Sequence, residues 1–244
     1  MPTIFCNALG LWLVDHSGYG LVFFLGGFGP LLGLIAVLGI RVQGTTREES
    51  GEGSAGFLAG LRRGPLLRLF LLFSASTVAT GVLVTFLPLA TPESGPFSAA
   101  AALLVVGVTS TASRWWAGRF SDRHDPHRLL VPGLLAGASG MVALSQGGPI
   151  LLVGAALFGI GFGVLQNSTL ILTMNRVPKS EYGLGSTLWN VAFDAGTGLG
   201  AFLFGFVISA TSFSAAFYLS AGLLVMALVL VPLDRYARTA IPEP

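Results

Sequence analysis

Charged residues are scarce in this chain of 244 residues: only 10% are Asp, Glu, Lys or Arg, whereas 53% are hydrophobic. Soluble domains carry about 25% charged residues, so this composition, with a mean hydropathy of +0.78, argues against a water-soluble protein. Cysteine is nearly absent as well. Because Cys6 is alone, no disulfide framework is available within the chain. The sequence therefore predicts an integral membrane protein.

The gaps between charged residues are close to the length of a transmembrane helix, about 20 residues for ~30 Å of hydrocarbon. Their apolar runs are continuous rather than alternating, which favours helices over barrel strands. We therefore predict an all-α polytopic membrane protein with about seven transmembrane helices. The predicted spans are Tyr19–Ile40, Leu69–Ala90, Phe97–Ser113, Leu129–Gln146, Pro149–Thr173, Gly183–Ser209 and Ser214–Leu233.

Eleven of the 13 basic residues fall in alternate connections between these spans, and the other two follow the last span. The connections near residues 91–96, 147–149 and 210–213 have none. The positive-inside rule then places the amino terminus outside, the carboxyl terminus in the cytoplasm and the protein in the cell membrane. Lipid headgroups thus account for the basic pI near 9.0, and no nucleic-acid partner is predicted. The basic residues are Arg41, Arg47, Arg62, Arg63, Arg68, Arg114, Arg119, Arg123, Arg128, Arg176, Lys179, Arg235 and Arg238.

Enzyme and cofactor motifs give no support for catalysis. Residues 51–56 match G-x-G-x-x-G, but they lie in a polar segment without a predicted strand before it, so no dinucleotide site is expected. We find no P-loop, nucleophile elbow or zinc-protease motif. The sequence predicts no enzyme activity, no cofactor and no metal site.

Two segments resemble motifs of the major facilitator superfamily. AGRFSDR, residues 117–123, is similar to the second-half copy of the family's G-x-x-x-D-R loop. Residues 176–183, running into Asn190 and Asp194, look like its penultimate loop and eleventh helix. The resemblance implies a carboxy-terminal six-helix bundle at residues 66–233, a cytoplasmic linker at 41–65 and a cytoplasmic tail at 234–244. Residues 1–40 would be the end of one helix and one full helix from an otherwise missing amino-terminal half.

The same resemblance implies function. It implies transport of a small molecule by alternating access, coupled to protons in efflux or uptake, and inactivity without the missing half. The expected partners are the lipid bilayer, the small-molecule substrate, protons, and a separate amino-terminal half or a second copy. Two alternatives stay open: a truncated remnant that does not transport, and a seven-helix receptor-like protein. A retinal protein is disfavoured because the single lysine, Lys179, lies in a loop.

The loop motif predicts a conformational gate on the cytoplasmic side. Gly118 would allow close packing where the third and fourth spans meet, Asp122 would accept amides at a helix amino terminus, and Arg123 would pair across an interface. An ordinary basic loop is the alternative. His124 and His127 in this loop are expected to be solvated rather than to bind a metal.

Asp194 is the only Asp, Glu, Lys, Arg or His between Gly183 and Leu233. Counted from Gly183 at 1.5 Å per residue, it lies about 16 Å into the membrane. Placing a carboxylate in a transmembrane helix at such a depth costs roughly 2.5 to 3.5 kcal/mol of insertion free energy. It should therefore face protein or water. Either it binds a proton or a cationic substrate, or it hydrogen-bonds a neighbouring helix. The residues predicted to line a polar midplane cavity are Asp194, Asn190, Thr197, Gln166 and Asn167.

Aromatic and small residues are assigned to packing and to the membrane interface. Trp189 is expected to pack between helices, with a role in the cavity as the alternative. Trp115 and Trp116 are expected to form an interfacial belt with a snorkelling Arg114. Glycines four residues apart allow close helix approach in lipid. These pairs are Gly29/Gly33, Gly159/Gly163 and Gly196/Gly200.

Overall fold

The structure is a computed structural model that describes residues 18, 20, 21, 24, 27, 28, 53–91, 95 and 97–239. The helical bundle belongs to the second of two compact units, which runs from Ser54 to Pro244. The described residues form helices joined by turns, with no strand among them, which confirms the all-α prediction. Most of the first predicted span, Tyr19–Ile40, lies outside the described residues.

Eight helices follow one another from residue 53 onward. They are α1 (Gly53–Arg62), α2 (Gly64–Ala90), α3 (Ala99–Ser121), α4 (Leu130–Leu144), α5 (Ile150–Met174), α6 (Tyr182–Ala210), α7 (Phe213–Ala227) and α8 (Leu230–Thr239). Short 3-10 helices at Pro126–Leu129 and Lys179–Glu181 lead into α4 and α6. Each predicted span from Leu69 onward therefore coincides with helical structure, but the last one, Ser214–Leu233, is divided between α7 and α8.

Five helical stretches are long and apolar enough to cross a membrane. They are Gly64–Ala90, Pro126–Leu144, Ile150–Met174, Lys179–Ala210 and Phe213–Asp234. Helix α3 forms where a span was predicted but is not among the five, because its arginine and tryptophan residues lower its hydropathy. The count of seven spans and the orientation of the termini therefore stay predictions.

Local sequence signals set several helix ends. Pro65 occupies the first turn of α2, where its missing amide hydrogen removes no helical bond. The hydroxyl oxygen of Ser98 accepts the amide of Ala101 at the start of α3. Gly147 and Gly148 have φ angles of 67° and 59°, which L side chains rarely adopt, and form the turn between α4 and α5 that the sequence predicted.

The helices pack through small residues. Helix α5 lies against α3 and α4, and α2 lies against α6 and α7. A Cβ atom at Gly163 of α5 would be 2.2 Å from the carbonyl oxygen of Ser110, and one at Gly200 of α6 would be 2.2 Å from that of Val78. A Cβ atom at the glycine four residues before each would lie equally close to a threonine hydroxyl oxygen. These contacts confirm the packing role of both pairs; the pair at residues 29 and 33 lies outside the described residues.

Helix α1 packs on the bundle at the end that carries the arginines. Its Phe57 and Leu61 contact a small apolar cluster of Leu66, Val177 and Leu188. Just beyond it, Arg63 donates hydrogen bonds to both carboxylate oxygens of Glu181, which raise the pKa of the Arg63 guanidinium. Within the segment 41–65, which was predicted to be a cytoplasmic linker, α1 is thus a helix that packs on the bundle.

Candidate functional site

Asp194 lies on the exposed face of α6. The buried positions of this helix, Leu188, Ala192, Gly196 and Gly200, face α2, and at 100° per residue the side chain of Asp194 points roughly the opposite way. It is 12 residues beyond Tyr182, or about 18 Å along the helix. Among the described residues, none hydrogen-bonds or ion-pairs with its carboxylate. The carboxylate is therefore available to a proton, a cation or an added protein surface.

Asn190 shares this exposed face with Asp194. Its Nδ2 atom donates to the carbonyl oxygen of Ser186 at 2.8 Å and lies 3.3 Å from the Ser186 hydroxyl. Thr197 is only partly exposed, and its hydroxyl donates to Phe193 of the same helix at 2.8 Å. The structure thus brings Asn190 and Asp194 together, while Thr197 lies nearer the α2 contact.

Gln166 and Asn167 lie in the middle of α5. Gln166 is 2% exposed, and its Oε1 atom, like the Nδ2 atom of Asn167 and the hydroxyl of Ser168, is buried without a hydrogen-bond partner among the described residues. Buried polar groups nearly always have a partner, from protein or ordered water. Water or a ligand would satisfy them. No hydrogen bond among the described residues joins these amides to Asp194, so their shared cavity stays a prediction.

A narrow cleft lies between α2, α5 and α6. It is lined mainly by apolar side chains, with Leu66, Thr173, Leu188 and Trp189 among them. None of the five predicted cavity residues lines this cleft. The predicted polar cavity and this apolar cleft are different features.

Trp189 packs between helices, as predicted. Its ring stacks on that of Phe73 in α2 with centroids 4.6 Å apart. Its Nε1 atom donates to the hydroxyl of Thr169 in α5 at 3.2 Å. One side chain therefore connects α6 to two neighbouring helices, and its polar edge has a partner.

The loop motif is placed differently from the prediction. Gly118 does not face the fourth predicted span. The atoms nearest to a Cβ built there are the side-chain nitrogen and oxygen of Asn167, both at 3.9 Å. Asp122 is exposed at the carboxyl end of α3, where its amide donates to the carbonyl oxygen of Gly118 at 3.1 Å. A role at a helix amino terminus is wrong for Asp122 in this structure.

Asp125, rather than Asp122, is the carboxylate that lies at a helix amino terminus. Its carboxylate accepts the amide of His127 at 3.0 Å, at the start of the 3-10 helix before α4. Arg123 is exposed, so its pairing across an interface stays a prediction. His124 is also exposed, and its ring stacks on Phe120 with centroids 4.4 Å apart. Among the described residues, no group of three potential ligands could hold a metal ion.

His127 corrects the expectation of a solvated loop residue. It is 2% exposed, and its Nε2 atom is hydrogen-bonded to the carboxylate of Asp234, which is 1% exposed. Sequence reasoning missed Asp234 altogether, although the first ionisable residue after a long apolar run was a signal.

Asp234 is the centre of a buried ion cluster at the arginine-rich end of the bundle. Arg176 binds its carboxylate in a bidentate arrangement, with Nη1 2.6 Å from Oδ1 and Nη2 2.5 Å from Oδ2. The same Nη1 atom donates to the carbonyl oxygen of Pro65 at 2.9 Å. The Nε atom of Arg68 lies 3.8 Å from Oδ1. One carboxylate therefore meets three basic side chains from three parts of the chain.

Trp115 and Trp116 are 64% and 50% exposed, as expected of side chains that face an interface. The guanidinium of Arg119 lies 3.6 Å from the centroid of the Trp115 ring, an arrangement in which the cation is attracted to the ring face. The cation at the face of the Trp115 ring is thus Arg119, and the predicted snorkelling of Arg114 stays a prediction.

Comparison with known proteins identifies the family. The chain matches the model described as Major Facilitator Superfamily over residues 2–145 and 98–243. It is also similar to Protein PucC of Rhodovulum sulfidophilum, with 28% identity over 102 residues, which cover 39% of this chain and 22% of that protein. The chain thus spans about a fifth of the length of this curated relative. Together with its long apolar helices, these matches show that the chain is an integral membrane protein and belongs to the major facilitator superfamily.

Proposed function

We propose that the chain takes part in transmembrane transport of a small molecule by alternating access, as the carboxy-terminal six-helix half of a secondary transporter in the cell membrane. The observation that carries this proposal is the exposed pair of Asn190 and Asp194, about 18 Å along α6. A carboxylate at that depth is costly in lipid. Its position therefore supports a cavity lined by water or protein on this face.

Asp194 is the group to which we assign coupling. It has no hydrogen-bond or ion-pair partner among the described residues, so a structural hydrogen bond to a neighbouring helix has no support within them. A carboxylate available in a midplane cavity suits binding of a proton or a cationic substrate as the cavity opens to either face. Asn190 would supply a neutral hydrogen-bonding group one turn away. The resulting transport would be proton-coupled efflux or uptake.

The gate is assigned to Gly118, Asp122 and Arg123. The position of Gly118 beside Asn167, whose side chain would lie 3.9 Å from a Cβ atom placed at residue 118, supports this assignment, because it puts the loop motif near the polar part of α5. Asp122 and Arg123 are exposed and free to meet another protein surface. That surface would belong to a separate amino-terminal half or to a second copy of the chain.

A partner is needed because transport sites of this kind form where two repeats meet. Purified chain alone is therefore expected not to transport. If no assembly containing it moves a substrate, the non-transporting remnant is the correct description.

The experiment compares membrane vesicles from the native cells with proteoliposomes that contain only the purified chain. Proton movement is followed with an internal pH-sensitive dye after addition of ethidium or tetraphenylphosphonium, two organic cations used as probes. We expect cation-dependent proton movement in native vesicles, its loss with Asp194→Asn, and none in proteoliposomes. Thr187→Ala is the matched control, because this exposed hydroxyl bonds only Gly183 of its own helix.

Two results would contradict these assignments. Proton movement in proteoliposomes of the chain alone would remove the need for a partner. Unchanged coupling in the Asp194→Asn variant would leave that carboxylate only a structural role.

A further inference from the structure

We infer that Asp234 closes a latch within this bundle, by which α8 holds together the ends of α2 and α5 and the turn before α4. The latch is defined as Asp234, Arg176, His127 and Arg68. It lies at the end predicted to be cytoplasmic, and it goes beyond the proposed transport function because it controls access to the inside of this bundle alone.

Convergence on one carboxylate is the first argument. Arg176 follows α5, His127 precedes α4, and Arg68 lies in the first turns of α2. All three side chains point to Asp234 of α8. Without that carboxylate, the hydrogen bond from Arg176 to the carbonyl oxygen of Pro65 still joins the ends of α5 and α2, but no residue of the cluster joins all three ends.

The composition of the cluster is the second argument. One carboxylate serves two arginines and a histidine, and two buried nitrogens, Nε of Arg68 and Nδ1 of His127, have no hydrogen-bond partner among the described residues. Partly satisfied buried networks are high in energy relative to complete ones. If Asp234 leaves, the remaining buried basic groups lose their counter-charge and must separate or become hydrated. The cluster thus favours two arrangements, closed and opened.

The break between α7 and α8 is the third argument. Helix α7 ends at Ala227, and α8 begins at Leu230. The amides of Leu228 and Val229 bond carbonyl oxygens only three residues back, at 3.1 Å. This tight turn interrupts the α-helical ladder, so α8 is not held to α7 by a continuous set of α-helical hydrogen bonds.

The apolar cleft shows what the latch controls. Pro65, which accepts a hydrogen bond from Arg176, immediately precedes Leu66, and Arg176 itself is three residues beyond Thr173. Leu66 and Thr173 both line the cleft between α2, α5 and α6. Release of Arg176 would therefore let α2 and α5 part at the cleft and admit water toward Trp189.

The test is the reactivity of a cysteine placed in the cleft. Thr173→Cys, in a Cys6→Ala background, replaces a side chain that is 5% exposed, and N-ethylmaleimide labelling in membranes measures its exposure. With Asp234→Asn we expect labelling to become about tenfold faster or more, as for local opening. Asp234→Glu keeps the charge and should label at nearly the original rate. When Asp234→Asn is combined with Arg176→Gln, the labelling rate should lie between those of the original protein and of Asp234→Asn alone, because the double variant has one uncompensated charge fewer.

Thr80→Cys provides the control. Thr80 is 7% exposed and lies about 22 Å along α2 from Pro65, so opening of the latch should not change its labelling. Equal acceleration at both positions would overturn the proposal, because Asp234 would then stabilise the whole fold. Unchanged labelling at Thr173→Cys would overturn it as well. Since labelling requires no transport, failure of the latch is distinguishable from failure of the proposed function.

Discussion

Gly118 lies against the side chain of Asn167, with 3.9 Å between a Cβ atom built at residue 118 and both polar atoms of the amide. This separation is ordinary van der Waals contact. The glycine of the loop motif is therefore not required by space in this arrangement, unlike the glycines that bring α3 and α5 together. The side chain nearest to a Cβ atom at this position is instead Asn167 of α5, one of the residues predicted to line the cavity.

Gly118→Ala should leave stability almost unchanged, whereas Gly163→Ala should destabilise the bundle by about 1–3 kcal/mol through overpacking. A Cβ atom at residue 163 would lie 2.2 Å from the carbonyl oxygen of Ser110, so one helix must shift. Thermal unfolding in detergent measures both variants. A larger loss of stability for Gly118→Ala than for Gly163→Ala would contradict this packing.

Thr77→Val should weaken the contact of α2 with α6. The hydroxyl of Thr77 donates to the carbonyl oxygen of Ala192 at 2.9 Å, and such interhelical bonds contribute roughly 0.6 to 2 kcal/mol in membranes. Unfolding in a titration with sodium dodecyl sulfate measures the difference in the free energy of unfolding between the variant and the original protein. Thr80→Val is the matched control, because that hydroxyl bonds Ser76 within α2; equal losses in the two variants would show that the bond between helices contributes nothing.

Trp189→Phe should lower the free energy of unfolding by about 0.5–1.5 kcal/mol, because the hydrogen bond to Thr169 is lost. Trp189→Ala should lower it by about 3–5 kcal/mol, because that change also removes the stacked ring. A double-mutant cycle of Trp189→Phe with Thr169→Val isolates the hydrogen bond. A coupling free energy of zero in that cycle would contradict the bond seen at 3.2 Å.

Orientation is tested by labelling from outside intact cells. In a Cys6→Ala background, Ser94→Cys should react with a membrane-impermeant maleimide. Lys179→Cys should react only after the membrane is made permeable, because the basic connections are predicted to face the cytoplasm. Equal labelling of both cysteines in intact cells would show that the predicted topology is wrong.

Fold class and most helix positions were determined by the sequence itself. In lipid each backbone amide must be satisfied within its own segment, so long apolar runs such as Pro149–Thr173 become helices whatever surrounds them, here Ile150–Met174. The common face of Asn190 and Asp194 follows from helical periodicity in the same way. Both are local properties, and local properties can be read from a sequence.

Only the tertiary structure decided which distant side chains meet. His127 and Asp234 are 107 residues apart, and Arg176 and Asp234 are 58 apart, so no spacing rule links them. The break after Ala227 was equally hidden, because the run around it is apolar on both sides. Helix packing brings these ends together, and burial of the resulting charges depends on every helix in the cluster. That is why the sequence predicted a solvated His127 and the fold made it part of a buried ion cluster.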